Sequence, residues 1–199
     1  MIALVLFSIY RGTMDKVLMF SCLHLATPEV ARYVREGLPG GEGREDYPIP
    51  EMLSLIDEAG VIVSMGDFAE LLYEGIQGVV LFPKLVEKLR TKKFILLQGN
   101  HERHLMGLYR GVFPDAEIAK EIMIDGWKLL HGDGGPIFPT VMEYRAYIRQ
   151  RFEGTKTIHG HSHVPYVGSQ VMDVGSITHS RTVGWLEDGV PRLSYLDGS

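Results

Sequence analysis

The sequence predicts an α/β protein in which two β-sheets pack face to face with helices outside. Two observations lead there. Strand-like and helix-like segments alternate through the first half in the order β-α-β-α-β, which argues for a mainly parallel sheet. The second half is richer in short strands punctuated by glycine turns, which calls for a second sheet. With 199 residues, 45% of them apolar, the chain reads as a single domain over 1–199 that can bury a core without disulfides.

The elements follow in order. The apolar start, Met1–Tyr10 (MIALVLFSIY), is too short to span a bilayer. It lacks the basic region and cleavage site of a signal peptide. It reads either as an extra strand, able to pair as an edge across subunits, or as an extension over 1–13 upstream of Met14. Lys16–Phe20 (KVLMF) is a continuous apolar run, the mark of a buried strand. Gly37–Pro50 is rich in Gly, Pro and charge and reads as a long functional loop. Glu51–Ala59 reads as a helix, Val61–Ser64 as a strand, Val79–Arg90 as an amphipathic helix and Phe94–Leu97 as a strand. Ile118–Ile124 and Lys128–Leu130 form a hairpin at Asp125-Gly126. Thr140–Phe152 reads as a helix. Thr157–His159, Tyr166–Val174, Arg181–Leu186 and Arg192–Leu196 read as strands.

Charge narrows the function. A net charge of −5 argues against general nucleic-acid binding, which needs a basic face. A small phosphate ester stays open, because metal ions supply positive charge locally. The single cysteine, Cys22, rules out an intrachain disulfide and fits a cytoplasmic setting. No membrane span is expected.

The chemistry gathers where strands end. The five apolar runs lead into Ser21-Cys22-Leu23-His24, Met65-Gly66-Asp67, Gly99-Asn100-His101-Glu102, His131-Gly132-Asp133 and His159-Gly160-His161-Ser162-His163. Sites in α/β sheets form at the carboxyl ends of strands. A lone histidine after a strand means little, since many are surface or satisfied core groups. Five convergent segments holding six of the eight histidines are a different matter. His161 and His163, two residues apart in an extended segment, point to the same side. Asn100 is the only asparagine in the chain, which suggests an amide needed at that place. Histidine, carboxylate and amide oxygen without a cysteine cluster favour Mn²⁺, Fe or Zn²⁺ over a structural tetrahedral site.

These segments, in this order, resemble the motifs of the calcineurin-like metallophosphoesterase superfamily: Asp-x-His, Gly-Asp-x-x-Asp/Glu, Gly-Asn-His-Asp/Glu, a single His and Gly-His-x-His. The counterparts are Cys22-Leu23-His24, Gly66-Asp67-Phe68-Ala69-Glu70, Gly99-Asn100-His101-Glu102, His131 and Gly160-His161-Ser162-His163. Asp173-Val174-Gly175-Ser176 is similar to the Asn-Pro-Gly-Ser segment of small bacterial and archaeal phosphodiesterase-like members. The resemblance implies a four-layer αββα sandwich of two mixed β-sheets flanked by helices, with two divalent metal ions. It implies Cys22, His24 and His163 as ligands of one metal, Asn100, His131 and His161 of the other, and Asp67 bridging. It further implies hydrolysis of phosphodiesters or phosphomonoesters by a metal-bridging hydroxide. His101 would then be the general acid, and Glu102 would orient its imidazole. For Glu102 and Glu70 a solvated carboxylate in a helix's first turn is an equal reading. Arg103 is a candidate phosphate contact, with exposure on a helix as the plainer reading for it and for His104. His179 and Arg181 could rim the pocket, and His159 could support a ligand. Tyr144, Tyr147 and Phe152 have helical spacing and read as core.

One position departs from the motif. Cys22 stands where the family has aspartate, and three readings stay open. The thiolate ligates and shifts metal preference, or it is a buried thiol beside a mononuclear centre, or the enzyme is slow or inactive. The segment after Asp67 lacks the Asp-Arg-Gly of protein Ser/Thr phosphatases, which counts against that activity. The competing class is a non-catalytic metal-binding or protein-interaction scaffold with a weakened first metal site.

Overall fold

Sixteen regular elements build two sheets in the computed structural model, which describes residues 9–10, 16–25, 49–69, 82–102, 105–133 and 140–196. In chain order they are β1 (Ile9–Tyr10), β2 (Val17–Phe20), α1 (Ile49–Glu58), β3 (Val61–Ser64), α2 (Pro83–Arg90), β4 (Lys93–Leu97), α3 (Met106–Val112), β5 (Glu117–Ala119), β6 (Glu121–Ile124) and β7 (Trp127–Leu130). Then come α4 (Val141–Arg151), β8 (Thr157–His159), β9 (Tyr166–Val167), β10 (Val171–Asp173), β11 (Thr182–Glu187) and β12 (Val190–Tyr195). Segments 37–48 and 79–81, Glu70, Arg103 and His104 lie outside the described residues.

One sheet runs β12-β11-β2-β3-β4-β5 and the other β1-β6-β7-β8-β10-β9. Both are mixed. β2 through β5 are parallel neighbours, as are β7, β8 and β10, while β11, β12 and β9 pair antiparallel. Alternation along β2 shows why its sequence is apolar throughout. Leu18 and Phe20 face Met52 and Ile56 of α1 and Leu85 and Leu89 of α2, with Tyr109 of α3 in the same cluster. Val17 and Met19 face the opposite way, into a core shared with Ile122, Leu129, Ile158 and Met172 of the other sheet. A strand covered on both faces has no polar side to show. On the far side, Tyr144 and Ile148 of α4 pack on Val171, with Tyr147 and Phe152 beside them, so these aromatics are core as expected. The layers are therefore helices α1–α3, sheet, sheet, helix α4, the expected αββα sandwich.

Several boundaries differ from expectation: the helix read from Val79 begins at Pro83 among the described residues, the last strand begins at Val190, and α3 is additional. The run read as one strand over Ile118–Ile124 breaks at Lys120. β5 pairs with β4 in one sheet and β6 with β7 in the other, a chain that changes sheets at a corner. The run Tyr166–Val174 is a hairpin of β9 and β10, because Gly168, Ser169 and Gln170 form the turn. Ile49 and Pro50 open α1 instead of closing the loop, in keeping with the tolerance of proline in a first turn. Of the apolar start, Ile9–Tyr10 adds an edge strand parallel to β6, so the extra-strand reading holds for those two residues. No described helix is long and apolar enough to cross a membrane.

α4 begins with a capping box. Thr140 Oγ1 accepts the Glu143 N–H at 3.2 Å, and the Glu143 carboxylate accepts the Thr140 N–H at 3.1 Å. Replacing Thr140 with alanine is expected to lower stability by about 1 kcal/mol, readable as a shift of the urea midpoint with unchanged slope. An unchanged midpoint would deny the cap an energetic role.

Candidate metal centre

Six parallel strands, three from each sheet, deliver the site residues to one edge of the sandwich. β2 leads to Cys22 and His24, β3 to Asp67, β4 to Asn100 and His101, β7 to His131, β8 to His161 and His163, and β10 to Asp173–Ser176. Within each set the ladders continue past the strands: Cys22 N–H donates to Gly66 O, His24 N–H to Asp67 O and Gly160 N–H to His131 O, each at 3.0 Å, and Ile177 N–H ties the two sets by donating to Ser21 O at 3.1 Å.

The side chains then leave the regular ladder. Cys22, His24, Asp67, His161 and His163 all have φ between +48° and +71°. Non-glycine residues held there store backbone strain of order 1–3 kcal/mol each, and such strain gathers at functional sites. Two glycines make the close approach possible. A Cβ on Gly66, itself at φ +103°, would lie 2.5 Å from His131 Nδ1, and one on Gly99 would lie 2.7 Å from the Asp67 nitrogen.

Among the described residues, three groups offer ligand atoms all within 4.8 Å of one another. They are Cys22, His24 and His163; Cys22, Asp67 and His131; and His24, Asp67 and His101. Asp67, Cys22 and His24 thus each belong to two groups. A further convergence falls on His131 Nε2, which has Asp67 Oδ2 at 3.1 Å, His161 Nδ1 at 3.1 Å and Asn100 Oδ1 at 3.2 Å. His131 Nδ1 lies 2.9 Å from Met65 O. A carbonyl only accepts, so Nδ1 carries the hydrogen, and Nε2 of the neutral ring keeps its lone pair toward the cluster. All seven proposed ligands are brought together. Cys22, Asp67 and His131 form a buried floor, while His24, Asn100, His101, His161 and His163 are half-buried around it.

The electrostatics suit a cation. Burial works to raise the Asp67 carboxyl, but the His131 hydrogen bond and charge outweigh it, and Asp67 is held well below the usual carboxylate range. Burial works to lower His131, and Asp67 overcomes it in the upward direction. Burial lowers His161, helped by His131, and takes His163 down to about 3, helped by the charges of His24 and His179. These two rings are therefore neutral lone-pair donors at neutral pH, the form a metal needs. Burial, with the charge of Asp67, pushes the Cys22 thiol well above its ordinary value. Carboxylate, amide oxygen, four imidazoles and one sulfur pointing into a single strained cup fit divalent metal binding.

Glu102 requires a correction. It is fully buried, so it is no solvated carboxylate, and its hydrogen bonds do not go to the His101 ring. One oxygen accepts the N–H groups of Asp67 and Gly99, both at 2.8 Å, and the other accepts that of Phe68 at 2.6 Å. Burial, then the charge of Asp67, raises its carboxyl above the ordinary value. Glu102 positions Asp67. His101 sits with its ring 4.8 Å from that of His24, and its peptide N–H donates to Asp67 Oδ1 at 3.1 Å. His179 stacks on His163 at 4.6 Å, whereas Arg181 reaches Glu51 of α1 at 3.5 Å.

Sequence reasoning missed the supports. Ser176 and Thr178 hydroxyls both donate to Cys22 O at 3.1 Å. Ser162 hydrogen-bonds Asp173, whose other oxygen accepts the Gly175 N–H at 2.9 Å. Burial pushes the Asp173 carboxyl up to about 8 against those two bonds. Asp173 stands where the resemblance places an asparagine. His159 is buried, burial takes it down to about 4, and its Nδ1 lies 2.9 Å from Gly160 O, behind the ligands. The sequence singles out the Asp173–Ser176 segment by its resemblance, without a role, and His159 as a support, whereas Ser162 and Thr178 carry no signal in it.

No family model matches the sequence, and no curated protein matches it. Solved structures do. The chain is similar to a cold-active protein-tyrosine phosphatase of a psychrophilic Shewanella species, 13% identical with a TM-score of 0.55 over 96% of this chain and 80% of that one. It is similar to a metallophosphoesterase from Sphaerobacter thermophilus, 14% identical with a TM-score of 0.52 over 89% of this chain and 87% of that one. A protein of unknown function from Aquifex aeolicus, 16% identical with a TM-score of 0.51, matches over 89% and 95%. At these identities the likeness speaks for architecture alone, and this chain shares the fold of those structures.

Proposed function

We propose that this protein is a metal-dependent phosphoesterase acting on a small phosphate ester, diester or monoester. The observation that carries the reading is the convergence of Cys22, His24, Asp67, Asn100, His131, His161 and His163 from five strand ends on one cup. Cys22, His24 and His163 would hold one divalent cation, Asn100, His131 and His161 the other, with Asp67 shared between them. Bound cations supply Lewis-acid charge toward phosphoryl oxygens and activate the attacking water. The chain supplies the rest. Glu102 fixes Asp67 through the peptide nitrogens, and the half-buried rim leaves an ester access to the floor. His101, at the rim beside Asp67 and His24, holds a proton for the leaving oxygen. Arg103, two residues on in the sequence, is the proposed phosphate contact.

The test is hydrolysis by chelator-stripped protein with Mn²⁺, Zn²⁺, Fe²⁺ or Mg²⁺ restored in turn. Bis-p-nitrophenyl phosphate probes diesters. p-Nitrophenyl phosphate and a phosphotyrosine peptide probe monoesters, the latter because one similar structure is a protein-tyrosine phosphatase. Turnover restored by metal is expected. His101→Ala should lower kcat by about 10²–10⁴-fold with metal content unchanged. Wild-type kcat in that variant would remove His101 from proton transfer. No turnover on any ester with any metal would replace the proposal with a non-catalytic scaffold.

A further inference from the structure

Cys22 gives this centre a chemistry of its own. Its sulfur is fully buried and lies within 4.8 Å of ligand atoms of His24 and His163, and likewise of Asp67 and His131. It therefore faces the cup, where a cysteine acting as a small core hydrophobe would face Leu23 and Leu25. A polar group supports it, Ser21 Oγ at 3.1 Å. The main chain is pinned as well, with the Cys22 carbonyl held by Ser176 and Thr178 and its N–H by Gly66. This pinning keeps Cys22 at φ +52°, a conformation that aspartate accepts more readily than cysteine.

Resting on the reading of the site as a metal centre, we propose that Cys22 Sγ is a thiolate ligand that makes this centre select a borderline-soft cation, Zn²⁺ or Fe²⁺, over Mn²⁺ and Mg²⁺. Sulfur donates a lone pair to the cation and the thiol proton leaves to solvent, so no oxidant or reductant takes part. Thiolate favours zinc and iron, whereas carboxylate and water oxygens suit magnesium and manganese. Reach supports the exchange. A cysteine side chain is one bond shorter than an aspartate, and a zinc–sulfur bond of about 2.3 Å, against about 2.0–2.2 Å for zinc–oxygen, recovers part of the difference. The two neighbouring imidazoles complete a sulfur–nitrogen set that zinc accepts and magnesium does not.

Cobalt(II) loading of the full chain tests the assignment by absorption spectroscopy, beside Cys22→Ser and Cys22→Asp. The wild type is expected to show a near-ultraviolet sulfur-to-cobalt charge-transfer band together with visible d–d bands. Both variants should keep the d–d bands and lose the charge-transfer band. Competition dialysis should show the Zn²⁺-over-Mn²⁺ preference falling in Cys22→Asp by at least the roughly 10–100-fold that loss of a ligand's supporting partner costs in affinity. Visible bands without charge transfer in the wild type would overturn Cys22 ligation and leave the metal centre standing. Failure of the wild type to retain cobalt or zinc at all would overturn both. Because aspartate tolerates the backbone at position 22, that variant separates ligand loss from misfolding.

Discussion

Asp67→Asn is expected to abolish cation retention and ester hydrolysis together while leaving the fold in place. Asparagine matches aspartate in shape, so its Oδ1 still accepts the His101 N–H now bonded at 3.1 Å, and the Glu102 clamp acts on the unchanged backbone. What disappears is the one carboxylate shared by the ligand groups. Metal affinity should drop beyond the roughly 10–100-fold attributed to outer partners of ligands. Turnover should fall further than in His101→Ala, because the Lewis-acid charge and the activated water both depend on retained cations. Stability suffers less. Breaking a buried ion pair usually costs about 3–5 kcal/mol because a charge is left alone. Here the partner ring of His131 can stay neutral, its Nδ1 hydrogen on Met65 O, so no charge is left alone. Metal analysis after dialysis, turnover and urea denaturation read the three effects separately. Wild-type metal content and turnover in the variant would sink Asp67 as the shared ligand.

Glu102→Ala is expected to damage fold and activity at once. Three peptide N–H groups from two loops end on this fully buried carboxylate. Removing it orphans all three, at about 1–3 kcal/mol for each buried donor left unmade, a loss on the order of 3 kcal/mol or more. Glu102→Gln keeps one acceptor oxygen but turns an amide N–H₂ toward a peptide donor, so an intermediate loss is expected. The order wild type, Gln, Ala should appear in the urea midpoint and in turnover alike. The contrast with Asp67→Asn is diagnostic, because that change removes turnover and spares stability. A Glu102→Ala protein within 0.5 kcal/mol, roughly the range of a neutral surface substitution, would show that the clamp carries no weight.

The legible part of the molecule was the part written as local pattern. KVLMF had to be a strand buried on both faces, and it is β2. The polar residues after each apolar run had to gather at strand ends, and seven of them do. Errors came where the pattern is continuous but the chain is not. Ile118–Ile124 holds no Gly or Pro to break it, yet Lys120 divides it between two sheets, a choice made by the neighbours that each half finds. Glu102 was misjudged for a related reason. A carboxylate near a helix start is usually solvated, and only the approach of the Asp67 loop to the Gly99 loop gives it three buried donors.

The sequence by itself determined the layering of apolar runs, the order of the motifs and the identity of the donor atoms, because periodicity and chemical type are properties of neighbouring residues. Tertiary structure decided which donors share a neighbourhood, which ring nitrogen faces the cluster and whether Cys22 faces the cup or the core. Those outcomes depend on contacts between β2, β3 and β4 on one sheet and β7, β8 and β10 on the other. Residues from Cys22 to Ser176 meet there only once both sheets have stacked and the strained strand ends have been locked by hydrogen bonds from distant parts of the chain.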